Sequence, residues 1–154
     1  MSKSFTDLES FISRFYPGKK LLITPYAYTT TFAALAQNAS ASNVIAIAAN
    51  ADFVLLGFNH RAQIGAAQQV TTKTAPFVRM LVTDSGSNEQ YTSGAVDLEN
   101  YSSNGGYENS LPYPRIVSGR TALTVQVTNY APTAETYTTL DIMLEGVLVR
   151  AYQG

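Results

Sequence analysis

The amino-acid sequence predicts an all-β fold: an antiparallel β-sandwich with a jelly-roll-like arrangement, preceded by a short N-terminal helix. Three observations lead to this prediction. About eight segments are rich in Val, Ile, Leu, Thr and Tyr, most of them residue types that strands favour. Turn signals built from Gly, Pro, Asn, Asp and Ser separate these segments about every eight to twelve residues. The longest segment, 136–152, comes last, and a long closing strand fits a jelly roll.

The first 20 residues predict a helix followed by a linker. Thr6 and Glu9 have the spacing of a capping box, in which each side chain bonds a free backbone N–H at the helix start. Pro17-Gly18 ends the helical pattern. We therefore divide the chain into an N-terminal helix and linker arm, 1–20, and a β-sandwich domain, 21–154. One face of the predicted helix carries apolar residues three or four apart: Phe5, Leu8, Phe11, Ile12 and Phe15.

The predicted helix has two possible docking partners. An isolated helix of about ten residues is marginal in water, so a face with three phenylalanines must pack against something. It closes one end of its own sandwich, or it extends as an arm that binds a neighbouring molecule. The hinge-like Pro17-Gly18 and the basic residues Lys19 and Lys20 suit an arm. We expect deletion of residues 1–18 to leave a folded β domain whose attachment or self-assembly is weakened.

The early strands predict self-association. Leu21–Ile23 and Tyr26–Phe32 open the sandwich, and Val44–Ile47 and Phe53–Phe58 follow. The last two segments are apolar on both faces, whereas a domain of this size has one core. A second apolar face needs a cover, either the N-terminal helix or a neighbouring subunit. We expect a homo-oligomer, with a trimer favoured.

The later strands follow a long loop-like region. Phe77–Asp84 alternates apolar and polar residues, and residues 85–114 then read as loop. Strands resume at Arg115–Val117 and Leu123–Thr128, before the long last segment. In that segment the apolar phase shifts after Gly146, and a glycine at such a shift predicts a β-bulge.

Composition excludes several classes of function. Ten Lys and Arg residues against eleven Asp and Glu give a net charge of −1, so no global field attracts nucleic acid or an anionic membrane. There is no cysteine and a single histidine, His60, so thiolate sites and sites with two imidazoles are excluded. No apolar run is long enough for a transmembrane helix, and acidic residues stand where a secretion signal would be apolar.

Catalytic patterns are weak, and we expect no catalytic residue, no cofactor and no metal site. Asp97 and Glu99 share one face of a short strand, with about 7 Å between their Cβ atoms. This distance is compatible with hydrolysis by a pair of carboxylates. A solvated acidic loop is the better account of the same residues. Asp84–Glu89 offers oxygen ligands for calcium, but the twelve-residue ligand pattern of an EF-hand is missing and a hairpin turn explains them.

Tyrosines in the loop-like region form either a sugar-binding platform or a protein interface. Charge is depleted at interface centres and Tyr is enriched there. Only 14% of this chain is charged, and it holds ten tyrosines. The predicted interface combines the helix face with three tyrosines: Phe5, Leu8, Phe11, Ile12, Phe15, Tyr101, Tyr107 and Tyr113.

The order of segments resembles that of a known class of proteins. Asn50–Leu55 is followed by a strand ending in Thr83–Gly86, a Tyr/Gly loop, Leu111–Arg115, and the segments 121–130 and 140–149. This layout is similar to small β-sandwich virion proteins of tailed bacteriophages, the head decoration or cement type. It covers roughly residues 21–150 and includes no diagnostic motif.

The resemblance implies a viral structural protein without an active site. Such a protein would bind the major capsid protein of the assembled shell, usually as an oligomer. It would be made in the host cytoplasm and located on the capsid surface of the virion. The alternative is a carbohydrate- or receptor-binding module of a virion, which would use the same sandwich with aromatic residues at one face or loop end. An enzyme is the third reading.

Overall fold

Strands dominate the structure, a computed structural model that describes residues 5–64, 77–98, 110–132 and 136–153. These residues form two antiparallel sheets and a single short helix, so the predicted all-β class with an N-terminal helix is confirmed. The elements are α1 Phe5–Ser13, β1 Lys19–Leu35, β2 Ser40–Ala46, β3 Asp52–Ile64, β4 Val78–Asp84, β5 Glu89–Gln90, β6 Val96–Asp97, β7 Ser110–Val117, β8 Ala122–Asn129 and β9 Tyr137–Gln153.

The strand pairings are nested, as in a jelly roll. Sheet A has the order β1-β9-β3-β7, and sheet B has the order β2-β8-β4 with β5 and β6 both paired to β4. When β5 and β6 are counted as one interrupted strand, the first strand pairs with the last, the second with the seventh, the third with the sixth and the fourth with the fifth. One long hairpin has thus been rolled into two sheets, which is the double-sheet arrangement of a jelly roll.

The main core lies between the two sheets. Strict alternation along β8 and along β9 sends every second side chain inward, because successive residues of a strand point to opposite faces. The inward residues of these strands are at most 5% exposed and pack in one cluster: Leu123, Val125, Val127, Leu140, Ile142, Leu144 and Leu148.

Helix α1 lies on the outer face of its own sheet A. Its Leu8, Phe11 and Ile12 pack against Val54 of β3 and against Val147 and Val149 of β9, and they form a second buried cluster. The helix therefore docks on its own domain, although on a sheet face and not at an end of the sandwich, and it supplies the cover that the second apolar face of β3 requires. The corresponding face of β2 has no such cover within the described part of the chain, since its Val44 is 66% exposed.

The expected linker between helix and sandwich is shorter than the sequence suggested. Lys19 and Lys20 belong to β1, opposite Gln153 and Tyr152 of β9, so the boundary placed at residue 20 falls inside a strand. The two early strand segments form one continuous 17-residue strand. Pro25 does not interrupt it, because β1 is an edge strand and a missing N–H on the open side removes no ladder bond.

The β-bulge lies in β3, opposite Gly146, and not in β9. In β9 the alternation continues through Gly146, with Leu148 facing the core and Val147 and Val149 facing the helix. The register shift is between Leu55 and Gly57 of β3, which pair with Gly146 and Glu145. The apparent phase shift in the sequence therefore marks the place where the helix begins to cover the outer face.

Candidate binding surfaces

One end of sheet A projects beyond the rest of the sandwich. β3 joins β9 at the pair Asp52–Val149, whereas β1 and β9 continue to the pair Lys19–Gln153. Residues 19–22 and 150–153 are therefore a two-stranded extension, which we call the ribbon. It holds three basic residues and no acidic one.

The core-side face of the ribbon combines exposed apolar side chains with basic ones. Leu22 is 49% exposed and Tyr152 is 51% exposed, and they share this face with Lys20 and Arg150, their cross-strand partners. Farther along β1 the same face presents Tyr26, which is 47% exposed. The surface therefore combines tyrosine, apolar and basic side chains and has no acidic residue in the ribbon. This composition is similar to that of interface hot spots.

A line of aromatic rings fixes Tyr26 to the core. The ring of Tyr26 meets that of Tyr28 at a centroid distance of 4.9 Å, and Tyr28 meets the buried Phe53 edge-on at 4.8 Å. The hydroxyl of Tyr28 accepts a hydrogen bond of 3.0 Å from the Ala48 N–H. The exposed ring is thus held by packed neighbours, and binding would cost little further ordering of its side chain.

A polar cleft of about 400 Å³ lies on the outer face of sheet A, away from the helix. Threonines of β1, an amide and a guanidinium of β3, and a carboxylate and a thioether of β9 line it. These residues are Thr29, Thr31, Asn59, Arg61, Asp141 and Met143, together with His60 and Ile142 of the same strands.

The predicted interface residues fall into three groups. Leu8, Phe11 and Ile12 are buried against their own sheet, so their apolar surface is used within the molecule. Phe15 is 52% exposed, with its ring centroid 5.1 Å from that of Phe11, so a partner could reach it.

The remaining predicted interface residues are described less fully. Phe5 is the first residue of α1, and Tyr113 lies in β7. Tyr101 and Tyr107 lie outside the described residues. Their assignment to an interface stays a prediction.

Sequence reasoning missed the ribbon. Leu22 stands between Leu21 and Ile23, which face the helix, so this short run is apolar on both faces. The same criterion singled out the Val44 and Phe53 segments, and applied to Leu21–Ile23 it would have flagged a surface in need of a cover. Tyr152 gave no such signal, because its exposure depends on where β3 stops.

Asp97, one of the two residues of the suggested carboxylate pair, has structural partners. Asp97 accepts a 2.7 Å hydrogen bond from the Tyr130 hydroxyl and lies 3.6 Å from the Arg79 guanidinium. The hydrogen bond to Asp97 raises the pKa of Tyr130, because ionisation of the phenol would break it. Glu99, the other half of the suggested pair, lies outside the described residues.

Tyr91 and His60 sit against the protein interior. Tyr91 packs on the main core with the Arg115 guanidinium 4.0 Å above its ring, and Arg115 also contacts Glu89 at 2.6 Å. His60 is 3% exposed, in β3. Neither ring is presented to solvent as a stacking platform for a sugar.

The described residues contain neither a metal-binding cluster nor a membrane-spanning helix. Within residues 5–64, 77–98, 110–132 and 136–153, no three His, Cys, Asp or Glu side chains converge as a metal site would require. Over the same ranges no helix has the length and hydropathy needed to cross a membrane. No known protein-family profile matches the chain, and no curated protein matches it.

Proposed function

We propose that this chain is a non-enzymatic structural protein of a virion, which binds and stabilises the assembled capsid as a decoration or cement protein. The proposal is supported by the resemblance in segment order and by the nested jelly-roll pairing of the strands. The observation that carries it is the exposed apolar surface formed by Leu22 and Tyr152 of the ribbon and by Tyr26 farther along β1.

The chemistry of the ribbon fits a large protein surface. Burial of a large apolar side chain is worth about 1.5 to 3 kcal/mol, so three half-exposed side chains supply a useful part of a binding energy. Lys20 and Arg150 on the same face favour a partner with acidic or neutral groups. The major capsid protein of an assembled shell presents one such site in many copies, and this would order the bound protein as a lattice.

Self-association forms part of the proposal, with a trimer favoured. Val44 on β2 is the most exposed of the large apolar residues of the described chain, at 66%, and it belongs to the other sheet. A molecule with one apolar surface on each sheet can bind the shell with one and a neighbouring copy with the other. A trimer requires that the Val44 surface contact a different surface of the neighbouring copy, and such head-to-tail contacts close into a ring when the rotation allows it.

The proposal is tested by sedimentation of the purified protein with empty capsids assembled from the major capsid protein of the same genome. The test variant is Leu22→Ser combined with Tyr152→Ser. The control is Phe77→Ser, which removes an apolar residue that is 43% exposed and directly precedes β4 of the other sheet. We expect the ribbon variant to lose at least about tenfold in affinity for capsids, a loss equivalent to about 1.4 kcal/mol, and the control to keep its affinity.

Two results would contradict the assignment. If the wild-type protein does not sediment with capsids at any concentration, the proposed function is wrong. If the ribbon variant binds capsids as tightly as the wild type and its circular dichroism is unchanged, the ribbon is not the attachment surface.

A further inference from the structure

The polar cleft on sheet A is built from two rows of side chains. Cross-strand register aligns three strands here, so each row has one residue from β1, one from β9 and one from β3. Rows two residues apart are about 7 Å from each other and neighbouring strands about 4.8 Å apart, which gives a patch with the dimensions of one sugar ring. The rows are Thr29–Met143–Asn59 and Thr31–Asp141–Arg61.

Hydrogen bonds already position the polar groups of these rows. The Thr31 hydroxyl donates to Asp141 Oδ1 at 2.7 Å, and the Asn59 amide donates to Glu145 Oε1 at the edge of the cleft. Each bond joins two strands, so the carboxylates and the amide are held in place before any ligand arrives. Such prepositioned groups reduce the ordering cost of binding.

Arg61 and Asp141 leave hydrogen-bonding capacity unused. They lie directly opposite each other in the register of β3 and β9, yet no ion pair joins them. Arg61 is exposed and keeps donors of its guanidinium available, and Asp141 uses one oxygen for Thr31. A donor group and an acceptor group therefore face the same space from adjacent strands.

The arrangement of the charged side chains in and beside the cleft disfavours both anions and cations as ligands. An anion attracted by Arg61 would meet the carboxylate of Asp141 on the adjacent strand. A cation could not be shared by the carboxylates of Asp141 and Glu145, because four residues of strand put them about 13 Å apart. A neutral ligand whose groups both donate and accept hydrogen bonds satisfies both sides, and hydroxyl groups have that property.

From this geometry we infer that the cleft is a binding site for a neutral carbohydrate, with Arg61 donating to its hydroxyls and Asp141 accepting from them. Met143, at the centre of the middle strand, supplies the apolar floor for the C–H face of the sugar ring. The cleft volume of about 400 Å³ is in the range of small-molecule sites. This site is separate from the ribbon and does not depend on capsid attachment.

The site is tested by nuclear magnetic resonance titration of the labelled full chain with glucose, galactose, mannose and N-acetylglucosamine. Each sugar is raised to a concentration that would saturate a site with a Kd of about 1 mM. N-acetylneuraminate and inorganic phosphate are the anionic comparison. The variants are Arg61→Ala and Asp141→Asn, and the control is Arg14→Ala, an exposed arginine just after the helix.

We expect at least one neutral sugar to shift the amide resonances of residues 29–31, 59–61 and 141–143. Each cleft variant should weaken that binding at least about fivefold, whereas Arg14→Ala should bind like the wild type. The inference is overturned if no neutral sugar shifts these resonances, if the anions alone shift them, or if the cleft variants bind as tightly as the control.

Discussion

The hydroxyl of Tyr16, just past the helix, donates a hydrogen bond to Oδ2 of Asp52, the first residue of β3. The other carboxylate oxygen of Asp52 accepts from the Gly119 N–H at 2.7 Å, in the turn between β7 and β8. One carboxylate thus joins three parts of the chain: the helix end, a central strand of sheet A and a turn leading to sheet B. It fixes the helix at the point where the chain enters the ribbon.

Removal of the Tyr16 hydroxyl should destabilise the fold. Tyr16→Phe leaves one oxygen of a partly buried carboxylate without its donor, and hydrogen bonds to charged groups are worth about 1.5 to 3 kcal/mol. We expect the free energy of unfolding in urea to fall by about that amount. Tyr152→Phe, at an exposed ring of the ribbon, should leave it unchanged. A variant at position 16 as stable as the wild type would show that the bond contributes nothing.

Alkaline pH should weaken the fold through Tyr16 and Tyr91. Burial raises the pKa of both phenols, and for Tyr16 the hydrogen bond and charge of Asp52 add to the effect. A raised pKa favours the protonated form in the folded state, so the stabilisation is complete below the ordinary tyrosine pKa of about 10 and declines as pH rises above it. The measurement is urea unfolding at about pH 8 and about pH 11.

The matching variant locates the source of this pH dependence. Tyr16→Phe combined with Tyr91→Phe should lose less stability between the two pH values than the wild type, although it starts from a lower value. Tyr152→Phe should keep the wild-type dependence. An identical loss in all three proteins would assign the alkaline effect to other groups.

The helix should be required for stability. Ile12 is fully buried, and an Ile→Ala change at such a site costs about 2 to 5 kcal/mol. Phe15→Ala, at a half-exposed ring of the same helix, should cost less than about 1 kcal/mol. Thermal unfolding followed by circular dichroism compares the two variants.

The structure also changes the outcome expected for deletion of residues 1–18. That deletion uncovers Val54, Val147 and Val149, so we now expect unfolding or aggregation instead of a folded β domain with weakened attachment. A soluble, cooperatively folding deletion variant would restore the arm hypothesis.

Gly146 should not tolerate a side chain. A Cβ at this position would lie 2.0 Å from the Val54 carbonyl oxygen and 2.9 Å from the Phe53 ring, at the bulge of β3. Because backbone cannot move aside cheaply, we expect Gly146→Ala to cost about 3 kcal/mol or more. Gly94→Ala, where nothing lies within 4 Å of the added atom, should be neutral in the same urea titration. Equal stability of the two variants would mean that the strands can separate at the bulge.

Local patterns predicted the class of fold, the helix and most strands, because each depends on residues close in sequence. The pairing of β1 with β9 could not be predicted in this way, since it joins Lys19 to Gln153 across the whole sandwich. The β1–β9 pairing accounts for two further features that the sequence analysis did not predict. It turns Lys19 and Lys20 from linker into strand, and it leaves Leu22 and Tyr152 beyond the end of β3. The polar cleft could not be predicted from local patterns either. Arg61 and Asp141 are far apart in sequence, and only the register of β3 against β9 brings them together.

The nested pairing has a consequence for the time course of folding. β1 and the helix emerge early in synthesis. Among the described strands, however, β1 pairs only with β9, and the helix packs on Val147 and Val149 of β9 as well as on Val54 of β3. The pairing of β1 and the complete packing of the helix must therefore wait for the last strand, with a loop of more than 100 residues to close, and such distant contacts make folding slow. During that wait the apolar helix face and the strand Leu21–Ile23 are open to other chains. Aggregation on the ribosome or in refolding should therefore begin at this N-terminal segment, and chaperone binding there would raise the yield of folded protein.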